Sequence, residues 1–261
     1  MKLKIFRNKF IKYFMATLFL MFSSGCAGIQ KKPDNVLTGS YKKKIEPENS
    51  FKSAKDLKPD YLKLSKELIK QGYYDVALAQ LEKIKKNKKN EAQIYFLMGK
   101  CNKGNKEYLK AEKNFQKAID INPDYAPAYN GLGLICDMTG KRENAWKFYK
   151  KAIRLNPAMA DFYNNLGFSE IMGKRFQEAE LHLLKSIALN PDFIKAKNNL
   201  ALAYIMTDED EKAFTVLKNI YPLNIACYNM GALYIKKGDG KKADEMYKKA
   251  VELHPEFQQG R

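Results

Sequence analysis

The side chains that could do chemistry in this chain are few and far apart. There are two histidines, His182 and His254, and four cysteines, Cys26, Cys101, Cys136 and Cys227. Neither histidine is accompanied by a set of glutamates and cysteines at metal-ligand spacing, so both read as surface or boundary residues on or near helices. Cys101, Cys136 and Cys227 fall at core-facing places of a helical pattern and read as small buried thiols, with spacings that fit no disulfide framework. The acidic run Asp208-Glu209-Asp210-Glu211 occupies a turn and reads as solvated. There is no G-x-S-x-G, no H-E-x-x-H, no phosphate-cradling glycine loop and no Cys-x-x-Cys. No catalytic residue, metal ligand or cofactor is therefore expected. Cys26, which follows Ser23-Ser24-Gly25, is the one cysteine placed for chemistry of its own.

Composition limits the partners. Of 261 residues, 47 are basic and 29 acidic, for a net charge of +18, and 45% are hydrophobic, enough for a real core. The basic residues are almost all lysines interleaved with glutamates. Arginine, which forks onto phosphate and base edges, occurs only at positions 7, 142, 154, 175 and 261. This pattern solubilises a surface and argues against nucleic acid as the partner.

Residues 2–12 carry Lys2, Lys4, Arg7, Lys9 and Lys12 and no acid, and an apolar run from Phe14 to Phe22 follows. That run is far short of the roughly 20 residues a membrane-spanning helix needs. A basic head, a short apolar middle and small residues make an export signal over residues 1–25. The Ser-Ser-Gly-Cys ending resembles the lipobox of bacterial lipoproteins, with Ser23 where leucine is commonest. That resemblance implies cleavage before Cys26 and a diacylglycerol on its thiol. Cleavage would lower the net charge from +18 to +13. Ala27 after the cysteine is similar to an outer-membrane sorting signal. The expected location is thus the outer membrane, facing the periplasm. Residues 26–57 then form a lysine-rich polar stretch without apolar period, a tether.

From residue 58 a period organises the chain. Alanine recurs at Ala77, Ala111, Ala145, Ala179 and Ala213, always 34 residues apart, and then at Ala243. Twelve positions before each stands a small residue: Ser65, Gly99, Gly133, Gly167, Ala201 or Gly231. Four positions after each stands Leu81, Phe115, Tyr149, Leu183, Leu217 or Tyr247. Each unit predicts two amphipathic helices, A and B, broken by a turn at Gly72, Gly140, Gly173 or Gly238. The small residues let the two axes approach, and Pro123, Pro157, Pro191 and Pro255 end helix B. Such a pair cannot bury its apolar face alone, so units must stack.

These residues resemble the tetratricopeptide repeat. The resemblance implies an all-α fold, a right-handed superhelical solenoid of six helix-turn-helix repeats: 58–91, 92–125, 126–159, 160–193, 194–223 and 224–257, with a tail at 258–261. Repeat 5 lacks four residues, about one helical turn.

Helix A is expected to line the concave face. Counting from the first residue of each repeat, positions 5, 9 and 13 share one helical stripe. Position 5 holds Asn130, Asn164 and Asn198, and position 6 holds Asn165, Asn199 and Asn229. Position 9 holds Leu134, Phe168 and Leu202, and position 13 holds Met138, Met172 and Met206. Carboxamides can pair with the backbone of an extended peptide whatever its side chains, and methionine adapts to irregular apolar partners. A protein-binding groove is the expectation.

Asn164-Asn165-Leu166-Gly167, Asn198-Asn199-Leu200-Ala201 and Tyr228-Asn229-Met230-Gly231 look similar to the TadD-like lipoproteins of tight-adherence (Flp) pilus systems. The six-repeat lipoprotein plan also resembles the pilotins of type IV pili. Both resemblances imply a lipid-anchored scaffold that binds a secretin or another envelope-assembly component, and no chemistry. The alternative is a repeat adaptor that regulates or tethers an envelope glycan-synthesising or polysaccharide-export enzyme. The oligomeric state stays open.

Overall fold

The computed structural model describes residues 60–254 except Asn87. The export signal, Cys26, the tether and the tail lie outside the described residues. Twelve α-helices and no strand occur among them: α1 (Tyr61–Gln71), α2 (Tyr74–Ile84), α3 (Glu91–Gly104), α4 (Tyr108–Ile121), α5 (Ala126–Met138), α6 (Arg142–Leu155), α7 (Ala160–Met172), α8 (Phe176–Leu189), α9 (Ile194–Met206), α10 (Asp210–Lys218), α11 (Leu223–Lys237) and α12 (Gly240–Glu252). Odd-numbered helices are the A helices and even-numbered ones the B helices. Each A helix packs on its own B helix and on the A helices of adjacent repeats. Each B helix otherwise packs chiefly on the following A helix. A helices therefore form the inner layer of the curved stack.

The A–B seam explains the spacing. A Cβ built on Gly133 would lie 2.5 Å from the ring of Tyr149, and one on Gly99 2.6 Å from the ring of Phe115. Gly167 meets Leu183 and Gly231 meets Tyr247 in the same way. Phe115 is gripped twice, because Gly131 of the next repeat also leaves room for its ring. The partner alanines Ala77, Ala111, Ala145, Ala179, Ala213 and Ala243 are fully buried.

The A–B turn departs from the glycine expectation. The left-handed residue stands at position 15 of every repeat, at Gly72, Lys106, Gly140, Lys174, Asp208 and Gly238, with φ between 60° and 95°. Gly173 is not that residue; its φ is −89° and it caps α7. Glycine is needed there for space: a Cβ would meet the buried Trp146 ring at 2.5 Å. Between repeats, Asn122, Asn156 and Asn190 each leave the helical region before a proline and accept a backbone N–H two residues on.

Repeat 5 is stitched differently. Its helix α10 has 9 residues where α4, α6 and α8 have 14. The acidic turn is solvated at Asp208 and Glu211 and also reaches forward. Asp208 pairs with Lys237 at 2.5 Å, and Asp210 pairs with Lys242 at 2.6 Å. Lys237 also donates to the Ile205 carbonyl at 2.7 Å. These contacts tie repeat 6 to the turn of repeat 5 where helix length is missing.

The two residues at the α7–α8 turn have opposite needs. Lys174→Gly should stabilise the protein by about 0.5–1 kcal/mol, because left-handed strain outweighs the added chain entropy. Gly173→Ala should destabilise it by about 1–3 kcal/mol through overpacking on Trp146. Chemical denaturation of both variants reads the two signs; equal signs would contradict this account of the turn.

Candidate functional site: the inner stripe of A helices

The asparagines at positions 5 and 6 do not form one open ladder. Asn199 Nδ2 donates to Asn164 Oδ1 at 2.9 Å, Asn164 Nδ2 to Asn165 Oδ1 at 3.2 Å, and Asn165 Nδ2 to Asn130 Oδ1 at 3.0 Å. One polar chain thus runs through α9, α7 and α5. Asn164, the central member, is buried, whereas Asn130, Asn165 and Asn199 are half-buried. Each carboxamide has two N–H groups, so these three keep at least one N–H each for another acceptor.

The remaining positions divide between core and surface. Asn198 is buried and exchanges hydrogen bonds with Tyr221 OH, at 2.9 Å from its Nδ2, so it serves the seam left by the short α10. Leu202 and Asn229 are each 1% exposed. These three are corrected from groove lining to core, because repeats 5 and 6 close over them. Leu134, Met138, Phe168 and Met206 are half-buried, and Met172 is 39% exposed. The accessible stripe is therefore carried by Leu134, Met138, Phe168, Met172 and Met206 beside Asn130, Asn165 and Asn199.

Beneath the stripe lies a second polar layer that the sequence reading missed. Asp137 on α5 accepts from Tyr149 OH at 2.8 Å and from Ser169 Oγ at 2.7 Å, joining three helices. Burial pushes its carboxyl above the ordinary aspartate value, against the lowering effect of those two donors. His182 is half-buried on α8, a boundary residue, and its Nδ1 lies 2.7 Å from Oε2 of the buried Glu170. Asn114 likewise donates to Asn102 Oδ1 at 2.7 Å. All three pairs span twelve residues from helix A to helix B, the offset that already links each small residue to its alanine. That offset was the available signal.

The described residues of the stripe offer groups suited to recognition. The imidazole of His182 and the carboxylate of Glu170 pair with each other, and the neighbouring group is the ring of Tyr163, with centroids 6.4 Å apart. Cys101, Cys136 and Cys227 are buried and free, and burial pushes the Cys101 thiol up to about 12, far from a reactive thiolate. Among the described residues no three His, Cys, Asp or Glu side chains converge as a metal site. Nor is any described helix long and apolar enough to cross a membrane.

The tetratricopeptide-repeat family model matches residues 92–125, 126–159 and 225–257. Three of the six repeats thus match the model, and the fold is that of an all-α tetratricopeptide-repeat solenoid. Solved structures agree on the fold. The crystal structure of YrrB, described as a TPR protein with an unusual peptide-binding site, is 24% identical. It covers 68% of this chain and 93% of its own, with a TM-score of 0.50. PilF of Pseudomonas aeruginosa is 18% identical over 77% of this chain and 94% of its own, with a TM-score of 0.59. The Cut9–Hcn1 assembly, also 18% identical, covers 73% of this chain and 39% of the matched one, with a TM-score of 0.59. At these identities the likeness speaks for the fold alone. No curated protein gives a significant sequence match. Tetratricopeptide-repeat proteins generally mediate protein–protein interactions.

Two outcomes test this geometry. Asn164→Ala removes the buried centre of the chain and should cost about 1–3 kcal/mol in chemical denaturation, the penalty for breaking a buried hydrogen-bond network. The raised Asp137 value sets a pH dependence. Its contribution to stability is complete below the ordinary aspartate range and is lost as pH rises through the folded value. Asp137→Asn, which keeps an acceptor for Ser169 or Tyr149, should flatten that part of the stability-versus-pH curve; an unchanged curve would refute the assignment.

Proposed function

We propose that this tetratricopeptide-repeat chain is a non-catalytic scaffold. It is anchored through a lipid on Cys26 to the periplasmic face of a bacterial outer membrane. Its inner stripe holds a protein component of a pilus or secretion machine, such as a secretin. The observation that carries the binding reading is the accessible apolar strip Phe168, Met172 and Met206, flanked by carboxamides with spare N–H groups. Packing of the repeat does not need those residue types there, since the seam uses positions 8, 20 and 24. A face that a partner dehydrates favours methionine to fill gaps and asparagine to satisfy backbone carbonyls. The Ser-Ser-Gly-Cys ending and the basic-apolar leader support the anchor.

The test uses the full-length chain in a bacterial cell. A photo-crosslinking residue is placed at Met172 or Met206, with Leu181, a 68% exposed residue of helix α8, as the outer-face control. The inner positions should trap an envelope-assembly protein that Leu181 does not, and Cys26→Ser should leave the membrane fraction. Crosslinks confined to Leu181 would place the partner on the outer layer. Trapping of a glycan-synthesising enzyme would favour the adaptor alternative.

A further inference from the structure

Lys236 breaks the position-13 column. Met138, Met172 and Met206 hold that place in repeats 3 to 5, and repeat 6 puts a lysine there. Its ammonium does not extend away from the stack. It folds back past repeat 5 to lie 5.2 Å from the centroid of the Phe168 ring on α7. Among the described residues nothing anionic accompanies it: Lys236 has no ion-pair or hydrogen-bond partner there, while its neighbour Lys237 is held by Asp208 and the Ile205 carbonyl. Desolvation lowers the Lys236 pKa, and no nearby charge offsets it.

The helices around it carry the same imbalance. The sequences of α9 and α11 contain Lys195, Lys197, Lys236 and Lys237 and no carboxylate. On α7, Asp161 stands in the first turn and Glu170 is buried against His182. On α5, Asp137 is spent on Ser169 and Tyr149. Lys236 is an exposed residue, yet an ammonium held over an aromatic face regains from the ring only part of the hydration it gives up there. A carboxylate arriving from outside would regain the rest, with a charge-assisted hydrogen bond.

We propose that the occupant of the inner stripe is an acidic–apolar peptide segment. A side-chain carboxylate of that segment pairs with Lys236, and an adjacent apolar side chain lies across Phe168, Met172 and Met206. The proposal rests on the stripe being a protein-docking face and specifies its partner's chemistry. The chain's own residues 27–57 are a poor occupant, with seven lysines against four carboxylates. Nucleic acid would supply anions without apolar side chains.

Fluorescence anisotropy on the folded chain tests this with defined probes. These are an amidated peptide of alternating aspartate and leucine, an amidated asparagine–leucine counterpart, the free-acid form of that counterpart, and a thymidine oligonucleotide. The aspartate–leucine peptide should bind best, and Lys236→Met, which restores the residue of the column, should weaken it about tenfold, as expected for losing a hydrogen bond to a charged group. Circular dichroism and thermal melting confirm that the variant is folded. If both amidated peptides bind equally and Lys236→Met changes neither, the docking face stands and the carboxylate partner is wrong. Binding confined to the free acid would move the carboxylate to a chain end and overturn the side-chain assignment. Oligonucleotide binding that exceeds every peptide and falls with Lys236→Met would make the anion a phosphate. Failure of every peptide overturns both the proposal and the docking face.

Discussion

The close approach of two helices within each repeat is the constraint on which everything else in this solenoid depends. A ring or leucine on helix B lies flat on a residue of helix A that has little or no side chain, and a buried alanine completes the contact. The approach is too tight for any larger group at Gly133 or Gly99 without displacing a fully packed ring. Because a hairpin of this length has too little apolar area to stand alone, each one hands its second face to the next. Stacking then forces the A helices together on the inner side and leaves the B helices separated on the outer side.

Crowding on the inner side gives the polar residues their arrangement. Asparagines at two adjacent positions of successive A helices are near enough to bond one another, so the carboxamides first hold the stack in register. Each half-buried member keeps at least one N–H for a partner. The same crowding buries Leu202, Asn198 and Asn229 where repeat 5 is short. Phe168 and the methionines of the central repeats stay accessible. The inner face is therefore a composite of structural hydrogen bonds and a narrower recognition strip.

Repeat 5 shows how a solenoid tolerates a missing helical turn. Tyr221 swings its hydroxyl onto Asn198, Lys237 reaches Asp208 in the turn before α10, and Lys242 reaches Asp210 at the start of α10. Ion pairs this accessible contribute little individually. Their role is geometric: they bridge α9–α10 to α11–α12 at the place where α10 is short. Lys236, one residue from this clasp, is turned toward Phe168 and has no carboxylate partner among the described residues. Charge is thus sorted across one helix end, with paired groups at the turn and a bare cation over the strip.

Sequence alone determined the repeat: the alanine, its small partner and its aromatic partner recur at fixed offsets, and helical periodicity turns those offsets into faces. It also marked the stripe, since positions 5, 9 and 13 share a face in any helix. Which stripe residues would be reachable was not legible, because exposure depends on how far adjacent repeats close over one another, and a shortened α10 changes that locally. The turn glycines misled for a related reason. Left-handed backbone at position 15 is imposed by hairpin geometry, which Lys106, Lys174 and Asp208 accept at a cost, while Gly173 answers to the Trp146 ring of another repeat. Contacts such as Asn165 with Asn130, or Lys236 with Phe168, join residues a whole repeat or more apart. Only the superhelical stacking brings them together, and no local pattern encodes its pitch.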